Sequence, residues 1–545
     1  MWGFWSDEIH QDYMTHSFIQ MLRTFLQTDG ATLLPELELL LFVIGVLAMD
    51  RWLEAKEKHW NAWLAISGIA FSVFTLWTLR AQVSVRGGLY GFHQSLFIDP
   101  YFLFFSAILL SGVTLVIVLS AHSPDIQPDK VSRFYAFILL ASTGMLLMLS
   151  GTNLIPLFLG IEIMSFSFYL LGRTQPFPNT EDSTPARSFG KTVAFRASAS
   201  IFVFAGFAAL YRLAASFNIG EIGLALGQRS DLARAIALAN QPGARGEGMR
   251  QLIETRMPDA LKPHFFPLQT FPMCAIILIA IGLFLKVASA ASSGSTSNST
   301  SLPPTPISAF ASIAAASASF ALLLRLLLTV FAASQDTWLY IAEISSLFIL
   351  ALTGIVAVFQ ASLRKLLACL ALSQFAFMLL ALVSANETGI YGLTFYLLIY
   401  VFMLAGVYLV LSLLRQNEGV AEKVQDLRGL YHRNPAAAFL FAVFLLSLAG
   451  IPATSGFLAK YAMLKSLFVT HHTKLAIAAI ILFLPTLYAC LRVATESFRK
   501  SPEEQPRLSM TNSQAIALGI CLFVTLAAGL YPEPFRRLAH YAFGQ

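Results

Sequence analysis

The chain alternates between long apolar runs and short polar breaks, and this pattern predicts a helical membrane protein. A membrane-spanning helix needs about 20 mostly apolar residues. Runs of this kind, separated by charged or Pro/Gly-rich breaks, give about fourteen candidate spans between residues 33 and 531. The spans cover residues 33–50, 63–80, 101–121, 134–150, 153–172, 193–214, 268–290, 306–332, 338–359, 366–384, 390–414, 436–466, 475–496 and 513–531.

The run at 436–466 is too long for one straight span, and its centre carries helix-breaking residues. Within Ser447–Lys460 (SLAGIPATSGFLAK), Pro452 lacks a backbone donor and Gly450 and Gly456 disfavour helix. We therefore predict a broken helix here. Freed backbone groups at membrane depth are tolerated only inside protein or beside a water-filled cavity. A lysine at such a break, Lys460, is a candidate for moving an ion.

Loop charges predict the orientation of the chain. Loops after odd-numbered spans hold about seventeen Lys and Arg residues, whereas the short loops after even-numbered spans hold about three. The long polar loop around 216–267 adds about six to the second side without reversing the bias. Because positively charged loops stay in the cytoplasm, we expect both termini on the opposite face.

Composition agrees with the membrane interpretation and excludes other classes. The chain is 57% hydrophobic and only 12% charged, whereas a soluble protein carries about 25% charged residues. The net charge of +6 does not indicate nucleic-acid binding, since Lys and Arg in membrane proteins chiefly set orientation. The four cysteines are isolated in apolar runs without a CxxC motif, so metal, iron–sulfur and disulfide sites lack support. The acidic start of the chain is unlike a signal peptide.

Polar segments divide the chain. Residues 1–31 are predicted to form an N-terminal surface segment, residues 32–534 the membrane domain, and residues 535–545 a C-terminal tail. Inside the domain, the polar insert 216–267 is either a small surface helix or a flexible segment. The Ser/Thr-rich loop 292–305 is predicted to be flexible.

Ionisable residues within spans are costly and usually functional. Glu162 lies near the middle of an apolar run, and Lys460 adjoins the predicted break. Lys286 ends a run, where it either acts in transport or extends to the membrane interface. Arg325 is either paired structurally or part of a transport path. Asp99 and Glu36, near helix ends, are interpreted as capping residues.

A carboxylate and a lysine inside a membrane suit proton transfer. A buried lysine releases its proton readily, and a nearby carboxylate stabilises its ammonium form. Weakening such a pair ejects the proton. A weak internal repeat adds to this picture: Lys286 follows Gly282 by four residues, as Lys460 follows Gly456. Inverted repeats with discontinuous helices are a habit of transporter folds.

Several stretches resemble one known family, the antiporter-like membrane subunits of proton-pumping NADH:quinone oxidoreductase (respiratory complex I), which are related to Mrp-type Na⁺/H⁺ antiporters. The most specific stretch is DLRGLYHRNPAAAFLFAVFLLSLAGIPATSGFLAKY, which is similar to the twelfth span of the subunit N branch. Residues 33–50, 134–172, 304–327 and 361–380 resemble its first, fourth with fifth, eighth and tenth spans.

The resemblance implies an all-α fold of fourteen helices, built from two inverted five-helix repeats with broken seventh and twelfth helices. It implies that Glu162 pairs with Lys286 and that Lys460 lies at the proton exit. It also implies no cofactor on this chain, with FMN and iron–sulfur clusters in partner subunits that also handle the quinone. The other membrane subunits, a peripheral redox arm and the lipid bilayer are the expected partners, and the bacterial inner membrane is the expected location.

The chain departs from the family pattern at the central relay. Ala316 occupies the usual lysine position of the eighth span, Gln374 replaces a common histidine, and ASSGSTSNSTSLPP replaces the family's PFHxWxPDxYxGAP motif after the seventh span. Ser317, Ser319 and Gln374 are candidates to bridge the resulting gap with water. Three hypotheses follow: a proton-translocating subunit N, a non-pumping scaffold subunit of the same or a related complex, and an Mrp-type antiporter subunit.

Overall fold

The computed structural model describes residues 29–53, 57–58, 60–121, 123, 126–174, 185–228, 270–291, 305–418, 423–501 and 507–543. Three predictions lie wholly or mainly outside these ranges: the surface segment 1–31, most of the polar insert 216–267, and the loop 292–305. Of the insert, residues 216–228 are described, and residues 219–228 among them are helical.

The described residues are almost entirely helical. The first half comprises α1 (Asp29–Met49), α2 (Trp60–Arg86), α3 (Pro100–Ser120), α4 (Val131–Ser150), α5 (Leu154–Arg173), α6 (Pro185–Ala214) and α7 (Thr270–Ala291). A hairpin between α2 and α3 pairs β1 (Leu89–Gly91) with β2 (Leu96–Ile98) in antiparallel register, with Tyr90 opposite Phe97.

The second half is also helical. Its first helix, α8, consists of Thr305–Phe310, a π-helical turn at Ala311–Ala315 and Ala316–Thr329. The others are α9 (Gln335–Phe359), α10 (Leu363–Leu382), α11 (Glu387–Glu418), α12 (Pro435–Ala449), α13 (Ser455–Val469), α14 (Thr473–Glu496), α15 (Asn512–Leu530) and α16 (Glu533–Tyr541). Helix α16 occupies most of the segment predicted as a C-terminal tail.

This architecture confirms the all-α membrane class. Within the described residues, twelve helices are long and apolar enough to cross a membrane, and two shorter apolar helices, Pro272–Lys286 and Pro435–Ala449, accompany them. The protein is therefore a multi-pass membrane protein. The exact count of fourteen spans and the repeat symmetry stay predictions.

The helices at the centre of the bundle are shielded from lipid. In α8 and α11, 94% and 89% of the apolar window is buried, against 33% in α1 and α9. Polar groups on α8 and α11 therefore face protein rather than hydrocarbon, where each unsatisfied group would cost several kcal/mol. These helices are the natural place for a polar path.

The predicted break in the long run at 436–466 is confirmed. Helix α12 ends at Ala449, and Gly450 takes the left-handed conformation (φ +77°) that glycine adopts without strain. Helix α13 begins after Thr454, whose hydroxyl accepts a hydrogen bond from the Phe457 amide. By contrast, α7 is continuous from Thr270 to Ala291, so the break predicted for the seventh span does not fall between those residues.

The two capping interpretations have different outcomes. Asp99 caps α3, because its carboxylate accepts a hydrogen bond from the Phe102 amide at 2.7 Å. The interpretation of Glu36 as a cap is wrong. Glu36 lies two turns inside α1, is buried, and accepts a hydrogen bond from the Ser150 hydroxyl at 3.0 Å.

Candidate proton-transfer site

Glu162 on α5 and Lys286 on α7 form an ion pair inside the first half of the bundle. Lys286 Nζ lies 2.9 Å from Glu162 Oε1 and 3.1 Å from Oε2. The Lys286 side chain is 1% exposed and that of Glu162 is 34% exposed. The Lys286 ammonium is thus fully withdrawn from the surface of the bundle, whereas its counter-ion Glu162 remains partly exposed at that surface.

Two serines complete this cluster. Lys286 Nζ also donates to Ser165 Oγ at 3.1 Å and to Ser200 Oγ at 2.6 Å. Ser200 Oγ in turn donates to Glu162 Oε2 at 3.1 Å. These contacts replace the water that the buried ammonium loses, which is the condition for holding a charge at this depth.

A close approach of α6 and α7 holds Lys286 in place. Gly282 lies one turn before Lys286, and a Cβ atom added there would be 2.8 Å from the backbone nitrogen of Val203 on α6. Only glycine permits this helix–helix distance. Ser200 lies nearly one turn before Val203 on the same helix, so the contact at Gly282 sets the spacing of the Ser200–Lys286 hydrogen bond.

Lys460 on α13 has a different environment. Its side chain is buried (5% exposed), and its Nζ donates to the carbonyl oxygen of Leu448 at 2.6 Å, across the helix break. Its Nζ also lies 3.9 Å from the ring centroid of Phe483, 5.5 Å from that of Tyr396 and 5.7 Å from that of Phe377. No carboxylate of the described part of the chain forms an ion pair with Lys460.

The two lysines therefore occupy separate sites. The contacts of Lys460 lie on α10, α11, α12 and α14, whereas Glu162, Ser165 and Ser200 lie on α5 and α6. Ala316, which the resemblance aligns with a relay lysine, directly follows the π-helical turn of α8 and is buried. Its methyl group cannot carry a proton.

The three polar residues predicted to bridge this gap are all buried. Ser317 Oγ donates to the Ile313 carbonyl within its own helix at 2.5 Å. Ser319 Oγ has no hydrogen-bond partner among the described residues. Gln374 accepts a hydrogen bond from Tyr396 Oη at 2.6 Å and donates to Ser373 Oγ at 3.2 Å. Gln374 is the only one of the three for which the structure gives contacts to two other side chains.

Comparison with known proteins places this arrangement in a family. A sequence profile described as "NADH:quinone oxidoreductase/Mrp antiporter, TM" matches residues 151–484, which include Glu162, Lys286 and Lys460.

The chain belongs to this family.

Relatives in the NADH:quinone oxidoreductase/Mrp antiporter family match almost the whole chain. NADH-quinone oxidoreductase subunit N 2 of Solibacter usitatus is 30% identical over 94% of this chain and 97% of its own length. Subunit N 1 of Koribacter versatilis is 30% identical over 95% and 96% of the two chains.

Solved structures share the family's fold. A chain of respiratory complex I from Thermus thermophilus has a TM-score of 0.67 at 20% identity and covers 92% of this chain and 98% of its own length. A chain of the Mrp complex from a Dietzia species has a TM-score of 0.71 at 17% identity. The match covers 93% of this chain and 96% of the Dietzia chain. At these identities the likeness shows the fold alone.

Sequence reasoning missed several members of the two sites. Ser165 could have been noticed, because it lies three residues after Glu162 and thus on the same helix face. Ser200, Phe483 and Tyr396 gave no local signal, since only tertiary packing brings them to the lysines. The contacts of Arg325 favour the interpretation of structural pairing. Its guanidinium forms an ion pair with Asp99 at 2.6 Å and also donates a hydrogen bond to the Leu149 carbonyl.

Proposed function

We propose that this chain is the antiporter-like membrane subunit N of a bacterial proton-translocating NADH:quinone oxidoreductase. Partner subunits oxidise NADH and reduce the quinone with FMN and iron–sulfur clusters, and this chain carries none of these groups. Its own part is to move protons across the inner membrane. Both termini lie on the non-cytoplasmic side, in accordance with the loop charges.

The observation that carries the proposal is the ion pair between Glu162 and Lys286. In the bundle interior the pair is stable only while the two charges stay close. When a neighbouring charge or a helix movement draws Glu162 away, the ammonium loses its main stabilisation and releases a proton. Ser165 and Ser200 are placed to take over the hydrogen bonds of the Lys286 amine. Restoring the pair then favours proton uptake.

Lys460 performs the second half of the transfer. It has no carboxylate partner in the described residues, and a carbonyl oxygen and three aromatic rings stabilise its ammonium instead. This is weaker compensation for the buried charge than a carboxylate gives. The break between α12 and α13 supplies the unsatisfied backbone groups beside which water enters. We place proton release at this break.

The experiment uses the complete complex in sealed proteoliposomes. NADH-driven quinone reduction and proton uptake are measured for the unaltered complex and for Glu162→Gln and Lys286→Met. We expect a lower proton-to-electron ratio in both variants. Lys474→Met is the matched control because Lys474 is exposed at the start of α14. An unchanged ratio in both site variants, with normal assembly, would overturn the proposal.

A second candidate function follows from Ala316. If the missing relay lysine has abolished pumping, the chain is a scaffold subunit of the same or a related complex. The Glu162 and Lys460 variants would then alter assembly without altering the proton-to-electron ratio of the complexes that do form. Sodium-dependent transport without NADH would instead identify an antiporter subunit.

A further inference from the structure

Three tyrosines on α11 are among the largest fully buried side chains described in the structure: Tyr396, Tyr400 and Tyr408. They lie four and then eight residues apart, on one side of the helix, and span about 18 Å along its axis. The function proposed above uses none of their hydroxyl groups. A buried phenol hydroxyl needs a polar partner, and each of these three has one.

The partners of Tyr400 and Tyr408 converge on Ser312 of α8. Tyr400 Oη donates to the Ser312 carbonyl at 2.9 Å, and Tyr408 Oη lies 3.3 Å from Ser312 Oγ. Ser312 lies in the π-helical turn that precedes Ala316. Such turns are rare and are frequently found at functional sites. The turn thus supplies hydroxyl contacts just before the position where the family carries a lysine.

The third tyrosine leads to Lys460. Tyr396 Oη donates to Gln374 Oε1 at 2.6 Å, which fixes the orientation of its hydroxyl group. The same ring lies 5.5 Å from Lys460 Nζ. The rings of Tyr396 and Tyr400 are 6.5 Å apart. Tyr396 therefore lies between the other tyrosines and the lysine at the helix break.

The opposite end of the row is Tyr408, which is fully buried and lies ten residues before the end of α11 at Glu418. Arg364, in the first turn of α10, interacts electrostatically with Tyr408. The next residue, Lys365, is exposed. Both lie in the first turn of α10, the end of that helix that the loop charges assign to the cytoplasmic side. Tyr408 thus lies in the half of α11 nearer its predicted cytoplasmic end, and the row leads from there towards Lys460.

We propose that Tyr408, Ser312, Tyr400 and Tyr396 form a hydroxyl pathway that reloads Lys460 with protons from the cytoplasmic side, in place of a relay through a lysine on α8. The pathway rests on the proposed function, which it deepens. Gln374 is a positioning residue, since it orients Tyr396. Water molecules complete three steps: from Ser312 Oγ to Tyr400, whose direct contact is with the Ser312 carbonyl, from Tyr400 to Tyr396, and from Tyr396 to Lys460.

The transfer balances at every step. A hydroxyl or water oxygen accepts a proton from one side, forming one O–H bond, and releases its own proton to the next hydroxyl or water oxygen, breaking the other. The carbonyl oxygens of Ser312 and Gln374 only orient the tyrosine hydroxyls. Each hydroxyl ends neutral, and the neutral amine of Lys460 becomes an ammonium. Hydroxyl groups both donate and accept hydrogen bonds, so the row suits protons. Sodium prefers several oxygen ligands, and the hydrogen bonds that these tyrosines and Lys460 form in the described part of the chain include no carboxylate.

The test measures the proton-to-electron ratio of the complete complex in proteoliposomes. Tyr400→Phe and Tyr408→Phe remove single oxygen atoms and keep the rings. We expect each to lower the ratio as far as Lys460→Met does, and the double variant to lower it no further, because the groups act in series. Tyr391→Phe is the control: it lies on the same helix but stacks on His540 of α16.

A second pair of variants separates proton transfer from structure. Ser312→Ala removes the hydroxyl that Tyr408 contacts, whereas Ser312→Thr keeps one. Loss of pumping in the first and its recovery in the second support the pathway. If Glu162→Gln lowers the ratio but the tyrosine and Ser312 variants do not, this inference is wrong and the proposed function stands. If Glu162→Gln also has no effect, the proposed function itself fails.

Discussion

The ammonium of Lys460 donates a hydrogen bond to the carbonyl oxygen of Leu448, across the break between α12 and α13 (2.6 Å). Leu448 lies in the last turn of α12, where carbonyl groups lack helical partners and the helix dipole is negative. Lys460, which lies within α13, therefore provides a hydrogen-bond donor for a carbonyl group at the C-terminal end of α12. Its protonation and the geometry of the break are linked by this contact.

Replacing Lys460 by methionine is expected to leave the protein folded and to stop its share of pumping. The hydrogen bond and the cation–π contacts stabilise the ammonium by about 2–5 kcal/mol in total. Withdrawing the charge from water costs a similar several kcal/mol. A thermal unfolding scan of the purified complex should therefore show little change or a small rise. A clear fall in unfolding temperature would show that the ammonium is a net structural element.

The Glu162–Lys286 pair should respond unequally to loss of each partner. Glu162→Ala leaves an ammonium that is 1% exposed, at a cost of about 3 kcal/mol. Lys286→Ala should cost less, since the Glu162 side chain is 34% exposed and is less enclosed by this chain than the ammonium is. The double variant should recover part of the loss. Unfolding of all three variants completes a double-mutant cycle, and strictly additive effects would contradict a direct interaction.

Gly282→Ala is expected to weaken the α6–α7 contact and to displace Lys286. The new methyl group would lie 2.8 Å from the Val203 backbone nitrogen, which cannot move without its helix. Overpacking of this kind costs about 1–3 kcal/mol. Gly519→Ala on α15 is the matched control, because no atom lies within 4 Å of its added Cβ. Equal stability of the two variants would contradict the close-approach argument.

Asp50, which lies outside the spanning helices, makes a pH-dependent contribution to the stability of the fold. Partial burial raises the pKa of its carboxyl, but hydrogen bonds from Lys58 and Ser132 and the charges of Lys58 and Arg133 outweigh this and hold the pKa below its usual 3.8. A lowered folded-state pKa stabilises the fold above 3.8, and this stability is lost as the pH falls through the folded value.

The measurement compares the unfolding temperatures of the unaltered protein and Asp50→Asn across pH. The variant should be less stable by a constant amount from pH 7 to about pH 5, because Asp50 stays ionised there. The gap should shrink only at lower pH. A gap that disappears between pH 7 and pH 5 would be inconsistent with the contact between Lys58 Nζ and Asp50 Oδ1 at 2.7 Å.

Residue types alone predicted the helix break and its lysine. Proline and glycine act on the local backbone, so their effect at Gly450 and Pro452 needs no tertiary context. Charges inside apolar runs were equally visible, and they made Glu162, Lys286 and Lys460 the candidate site residues. Loop charge and apolar length also gave the membrane class, because both depend on the bilayer rather than on the fold.

What surrounds these residues was not predictable from the sequence. The rings of Phe377, Tyr396 and Phe483 reach Lys460 from three different helices. The π-helical turn of α8 has no sequence signal in a run of alanines and serines. Its residue Ser312 contacts Tyr400 and Tyr408 on another helix, which local sequence cannot show. Glu36 was misinterpreted as a cap because its burial results from the packing of α1 against α4, which the sequence does not show.

The central claim is that this chain moves protons through Glu162 and Lys286. Its most direct test is the number of protons translocated per NADH oxidised by the reconstituted complex that carries Glu162→Gln together with Lys286→Met. The account predicts an assembled complex that still reduces quinone but has a lower ratio than the Lys474→Met control. A ratio equal to that of the control would contradict it.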